Sequence, residues 1–261
     1  MDDTHRKFLD ELLETASPSG FESPAQRVWI DYVSEFADEV RTDAYGNAVA
    51  VLDGGEPSVA LAGHGDEIGF MVRDIGDGGE IRMTRIGGSD GTVSQGQHVR
   101  IHTDEGPVPG VIGQTAIHLR ESDDGDTSEI AEQHVDIGVE DADEAAELVD
   151  RGDPITFEQT VSELAGGRIA ARGLDNRIGI WAAAEGFRRA AAAGPEATVY
   201  AVSTVQEELG LRGAQMVGFD LAPDVAIATD VTHATDAPDT PGKRSTGIEL
   251  GEGPEIGRAH V

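Results

Sequence analysis

Ser58-Val59-Ala60-Leu61-Ala62-Gly63-His64-Gly65-Asp66-Glu67-Ile68-Gly69 is the stretch on which the fold turns. Residues 58–63 are small or β-branched with little polar alternation, the texture of a strand covered on both faces. His64 and Asp66 follow it two apart, and an extended chain puts both on one face. His64 can ligate a metal, and Asp66 can hydrogen-bond the other ring nitrogen and fix its tautomer. The plainer alternative is a structural histidine beside a turn.

Upstream, Phe8, Leu9, Leu12 and Leu13 recur at helical spacing and predict a helix over 4–16, broken by Ser17-Pro18-Ser19-Gly20. Val28, Trp29, Tyr32, Val33 and Phe36 predict a second helix over about 23–37, and residues 47–52 a further strand. From about 68 to 164 the texture changes to short β-like segments between Gly-rich turns such as Gly76-Asp77-Gly78-Gly79 and Gly87-Gly88. Residues 121–129 are acidic and predict an exposed loop, and a short helix is expected near 141–150. Alternating helix and strand return after 165: an Ala-rich helix from Ile178 to Ala193 stopped by Gly194-Pro195, then strands near 198–205 and 224–229. One α/β domain, 1–67 and 165–261, is therefore expected to be split by a β insert, 68–164.

Three more acidic clusters sit where an α/β sheet places its chemistry, at the carboxyl ends of strands. Asp175 stands before a helix; its carboxylate can bridge two cations or simply cap the helix. Glu207 and Glu208 end the strand at 198–205, a costly pairing unless cations neutralise it, and otherwise an exposed charged turn. Asp230 ends the strand at 224–229, where a turn residue is the plainer alternative. Taken with His64, these acids fit a two-metal hydrolase site, and imidazole with carboxylate suits zinc, manganese or cobalt.

The charge bounds the partners. Against 19 Lys and Arg stand 50 Asp and Glu, a net charge of −31, so nucleic acid and anionic membranes are poor partners. Lys7 and Lys243 are the only lysines; heavy acidity with almost no lysine is the surface expected in molar salt, and predicts a halophilic cytoplasmic protein, the plainer alternative being an acidic mesophilic one. The absence of cysteine removes thiolate ligands and a Cys nucleophile. Met1–Asp10 shows no apolar leader, and no run is apolar enough to span a membrane.

Seven motifs in order carry a resemblance: S-P-S-G-F-E at 17–22, D-A-Y-G-N at 43–47, H-G-D-E-I-G at 64–69, R-I-G-G at 85–88, G-V-I-G at 110–113, G-L-D-N-R at 173–177 and Q-E-E-L-G at 206–210. With them the chain resembles the tetrahedral dinuclear aminopeptidases, metallopeptidase family forty-two, whose members include glutamyl, leucyl, lysyl and deblocking aminopeptidases. The resemblance implies a three-layer α/β zinc-peptidase domain with a mainly parallel or mixed sheet, interrupted by a PDZ-like β dimerisation domain. It implies two divalent ions per subunit, zinc or cobalt with manganese as an option, peptide substrates, and dimers assembling into a dodecamer. By position, His64 and Asp230 would bind one metal, Asp175 would bridge both, Glu208 would bind the second, Glu207 would be the general base, and Asp66 would orient His64.

Family members complete the second metal site with a histidine well downstream of the G-x-G-P segment, here Gly251 to Pro254. His233 is the nearest alternative in sequence, and is expected to line the pocket or pack rather than ligate. Glu255-Ile256-Gly257-Arg258-Ala259-His260-Val261 is what a common short-read sequencing adapter encodes in one frame. The chain is therefore expected to be a C-terminal truncation with a weak second site and little activity. Two rivals remain: a non-catalytic assembly subunit of the same fold, and a glycoside hydrolase, which would need only a carboxylate pair and leaves His64 and Asp175 without work.

Overall fold

The computed structural model describes residues 3–119, 129–238 and 247–257. The acidic stretch expected as a loop, apart from Glu129, and the tail with His260 lie outside the described residues. The chain divides into two units, Met1–Asp230 and Val231–Val261.

In the first unit, α1 (Asp3–Glu14) buries Phe8, Leu9, Leu12 and Leu13 along one stripe. α2 (Ser23–Val33) opens with a proline in its first turn and buries Ala25, Gln26, Trp29 and Val33. It stops short of the expected 37: the Ser34 hydroxyl donates to the Ile30 carbonyl at 2.6 Å, and the chain leaves in tight turns back to Val33. β1 (Glu39–Thr42) and β2 (Ala48–Leu52) form an antiparallel hairpin. Its turn is the D-A-Y-G-N motif, in which Asp43 Oδ1 accepts the backbone N–H groups of Tyr45, Gly46 and Asn47 at 2.8–3.0 Å. β3 (Gly55–His64) then runs to the histidine.

Between β3 and the next long helix lies a closed barrel. Its strands are β4 (Gly69–Ile75), β5 (Ile81–Ile86), β6 (His98–Thr103), β7 (Gly106–Gln114), β8 (Gln133–Asp136) and β9 (Pro154–Phe157), in the order β4-β5-β8-β7-β6-β9. Two short helices interrupt it, α3 (Gly91–Ser94) and α4 (Ala142–Ala146), capped by the carboxylates of Asp90 and Asp141. α4 covers only part of the helix expected over 141–150. The barrel encloses its own core, with Phe70, Val72, Ile81, Met83, Val99, Ile101, Ile112, Val135 and Ile155 buried together. A small hairpin, β10 (Ser162–Leu164) with β11 (Arg168–Ala170), leads out.

α5 (Leu174–Ala193) is the Ala-rich helix, and Gly194 at φ 64° stops it by bonding back to Ala190 and Ala191. β12 (Ala197–Thr204), α6 (Arg212–Leu221) and β13 (Val225–Ala228) follow. The sheet order is β1-β2-β12-β3-β13, with β3, β12 and β13 mutually parallel and β2 antiparallel to β12, so it is mixed. Phe8, Leu12, Trp29, Val33, Ile180, Ala184 and Phe187 pack with Ala48, Ala50, Leu52, Val199 and Ala201 in one cluster. Val49, Val51 and Val202, from the alternate strand positions, pack with Val217 of α6 in another. Each large side chain buried this way contributes about 1.5–3 kcal/mol. In the second unit, Thr235 donates through its backbone N–H and its hydroxyl to the Ile248 carbonyl.

Candidate active site

The parallel strands β3, β12 and β13 end side by side, with Thr204 in register with His64 and Ala228 with Ala62. Whatever follows each strand therefore gathers at one edge, where an open α/β sheet holds its ligands. His64 Nε2 lies 3.1 Å from Asp175 Oδ1, 3.8 Å from Glu207 Oε2 and 4.0 Å from Asp230 Oδ1. Two donor groups share that histidine, one with Asp175 and Asp230, the other with Glu207 and Glu208, each within 4.8 Å. The other ring nitrogen, Nδ1, faces Asp66 Oδ1 at 3.3 Å. All six residues singled out from sequence are thus brought together. His233 falls in the second unit; His98 is exposed on β6, and His102 bonds Thr156 at 2.8 Å.

Asp66 is the hub. It is fully buried, and its carboxylate accepts from the Ser19 hydroxyl at 2.6 Å and from the backbone N–H groups of Glu207 and Glu208 at 3.0 and 3.1 Å. One side chain on the β3–β4 loop thereby sets the direction of the two glutamates that follow β12. The turn into them passes through Gln206 at φ 53°, a left-handed conformation costing a non-glycine residue about 1–3 kcal/mol. Glu22 helps hold it: Glu22 Oε1 accepts the N–H of Gln206 at 3.1 Å and of Gly20 at 2.8 Å.

Asp175 does not cap α5. It and Asn176 have non-helical backbone angles within the first turn, and Asp175 Oδ1 faces His64. Asn176 Nδ2 donates to the Thr229 carbonyl at 2.8 Å, tying this turn to the residue before Asp230. From the barrel, Gly87 at φ 64° lies against Glu208: a Cβ there would meet the Glu208 side chain at 3.1 Å and Ile68 at 2.9 Å.

The electrostatics follow from crowding. Burial disfavours a charged His64, but hydrogen bonds to Asp175 and Asp66 and the charges of Asp66 and Glu207 outweigh it, raising its pKa to about 10. Burial, then the charge of Asp175, pushes Glu208 up to about 7. Burial and the surrounding acids also raise Glu207. Although burial works against its charge, Asp66 stays below the usual range through His64, Ser19 and the Glu207 N–H. Glu67 does the same, with Arg177 and Arg172 offsetting its burial. A cluster that retains protons on its own ligands has more negative charge than it can solvate, and a divalent cation could replace those protons. One imidazole nitrogen amid carboxylate oxygens fits zinc, manganese or cobalt.

Sequence reading missed Ser17, Ser19, Glu22, Glu67, Asn176 and Arg177, all buried around this site. The signal available was the motif S-P-S-G-F-E itself, in which Ser17 and Ser19 find their partners on the β3–β4 loop. A cavity of about 380 Å³ bounded by Arg100, His102, Phe157 and Arg172 includes none of the six acid and histidine residues.

The family model described as M42 glutamyl aminopeptidase matches residues 46–260. The chain belongs to this family. M42 relatives include the lysyl aminopeptidase of Pyrococcus furiosus, 36% identical over 252 residues, which cover 95% of this chain and 71% of that one. The glutamyl aminopeptidase of Lactococcus lactis is 31% identical, over 86% of this chain and 66% of its own length. Among solved structures, the TET aminopeptidase of a marine-sediment Thaumarchaeota archaeon superposes with a TM-score of 0.91 at 34% identity, covering 97% of this M42 chain and 72% of its own. The TET1 peptidase of Pyrococcus horikoshii, which assembles into a tetrahedron or a large octahedral shell, gives 0.80 at 34%, covering 87% and 68%. The α/β fold with its mixed sheet is that of the TET aminopeptidases.

Proposed function

We propose that this M42 chain is a metal-dependent aminopeptidase that removes the N-terminal residue of peptides. The observation that carries the reading is His64, with Nε2 turned toward three carboxylates and Nδ1 held against Asp66. His64 and Asp230 would hold one divalent ion and Glu208 a second, with Asp175 shared between them. When bound, the ions supply a Lewis acid for the scissile carbonyl and lower the pKa of the attacking water. Glu207 Oε2 takes the proton of that water and delivers it to the leaving amine. Asp66 keeps His64 in the tautomer whose Nε2 carries the lone pair. The substrate's free amine would be held by a metal or a nearby acid, which restricts cleavage to the chain end.

The architecture implied is a three-layer catalytic domain over 1–67 and 165–261, with the segment 68–164 as a PDZ-like dimerisation domain. The homo-oligomeric TET1 peptidase of Pyrococcus horikoshii supports assembly of this chain into dimers and larger shells.

Metal analysis, combined with a panel of aminoacyl-chromophore substrates in high salt, tests the reading. Turnover abolished by EDTA and restored by zinc, cobalt or manganese is the expected result. Glycan hydrolysis indifferent to EDTA would replace it with the glycosidase alternative.

A further inference from the structure

A single carboxylate oxygen joins three segments beside the site. Glu67 Oε1 accepts the Ser17 backbone N–H at 2.8 Å, Arg177 Nη2 at 3.1 Å, and Arg172 Nη1. Arg177 is fully buried, and its remaining bonds run to the Leu12 and Thr15 carbonyls at 3.0 and 3.3 Å and to the Ser17 hydroxyl at 2.7 Å. Arg172 also reaches the Glu14 carbonyl at 2.9 Å. The end of α1, the Ser17–Ser19 strap, the β3–β4 loop and the start of α5 are thus fastened at one point.

Such a buried cluster is a poor stabiliser, since the cost of removing three charges from water rivals their attraction. Apolar side chains of similar volume would hold the segments together as well. What they lack is direction: Arg177 divides its guanidinium donors among Glu67, Ser17, Leu12 and Thr15, and Arg172 divides its own between Glu67 and Glu14, so angles are fixed as well as distances. The positions concerned are informative. Glu67 adjoins Asp66 on the loop that carries His64, and Arg177 is two residues beyond Asp175. Ser17 donates its hydroxyl to the Gly65 carbonyl at 2.6 Å, so the loop is held on both sides of Asp66.

We propose that Arg172, Glu67 and Arg177 are positioning residues that set the His64–Asp66 loop against Asp175 and so fix the spacing of the metal donors. The proposal rests on the metal-site reading above.

The test uses the full chain and three variants. Glu185 is the control: it too is buried, bonded to Tyr32 and Arg188, and faces away into the packing of α1, α2 and α5. Cobalt titration followed by visible absorption, and amide hydrogen exchange of the metal-free protein over 63–69 and 172–178, are the readouts. Glu67→Gln is expected to weaken cobalt binding about 10–100-fold, to alter the visible spectrum, and to speed exchange in both segments together. Arg172→Gln, which spares the Arg177 pair, should move the same readouts less and carries the test if Glu67→Gln does not fold. Glu185→Gln should lower Tm and leave cobalt affinity and spectrum unchanged. Wild-type cobalt binding in Glu67→Gln and Arg172→Gln, or faster exchange in one segment only, overturns the proposal. If the wild-type chain takes up no cobalt, the metal reading falls. The exchange data then decide alone: joint loosening upholds the coupling, and independent behaviour refutes it.

Discussion

Among the described residues between Gly69 and Phe157 the buried polar side chains are Ser89, Ser94, Gln133 and Thr156, none of them ionisable in the ordinary range. Around the mixed sheet, Glu22, His64, Asp66, Glu67, Arg177 and Glu185 are all buried. Each ion removed from water costs several kcal/mol even after relaxation. The barrel avoids that cost and is held by a dry apolar core. The sheet accepts it chiefly at the carboxyl edge of its parallel strands, where the charges aim one another. Burial of charge therefore separates the part of the chain organised for shape from the part organised for chemistry.

Glu207→Gln should break the chemistry alone. Turnover is expected to fall about 10²–10⁴-fold while metal content, by mass spectrometry, stays at the wild-type level. Near-normal turnover would remove Glu207 from the role of base. Ile101→Ala in the barrel core should do the converse, losing about 2–5 kcal/mol of stability in denaturant titrations with kcat per folded chain unchanged. A fall in kcat beyond the unfolded fraction would mean that the barrel shapes the site as well.

The pH dependence sharpens the contrast further. In the metal-free protein Glu208 holds its proton up to about 7 and His64 up to about 10, so protons compete with metal. Raising the pH from 5 through 7 removes the first competitor, and affinity should climb while proton release per ion declines. Calorimetry in two buffers of different ionisation enthalpy measures both. Affinity independent of pH over that range would contradict the crowding described for these acids. The smallest effect is expected from salt: Tm should rise between ~0.1 M and molar KCl as the Debye length shrinks from ~10 to ~3 Å. A flat profile would remove the expectation of a halophilic surface.

Sequence carried the elements whose patterns are local. The α1 stripe, the Ala-rich helix, the strands leading to His64, Glu207 and Asp230, and the β texture after Ile68 were all legible in period and punctuation. β1 was not, because Glu39-Val40-Arg41-Thr42 is short, polar and largely exposed, and is a strand only by pairing with β2. α6 was not, because it buries little beyond Gly213 and Val217 and starts from Leu211 at φ 61°. His64, Glu207, Glu208 and Asp230 could be named because strand ends mark them, and Asp175 because it opens a helix. Ser19, Glu67 and Arg177 could not, since their side-chain partners are 47 to 165 residues away and nothing local records the meeting.

The barrel's first and last strands are neighbours, with Phe70 opposite Ile155 and Met71 opposite Pro154. That pairing has a kinetic meaning. To form the sheet, His64 must find Thr204 across a long span of chain. Once the barrel has closed, that search runs only over the residues outside it. The effective loop shortens by a factor of about 2.5, which lowers its closure entropy cost by roughly 0.8 kcal/mol. The insert that lengthens the chain thus acts, in folding, as a shortcut between the two strands that carry the histidine and the glutamates.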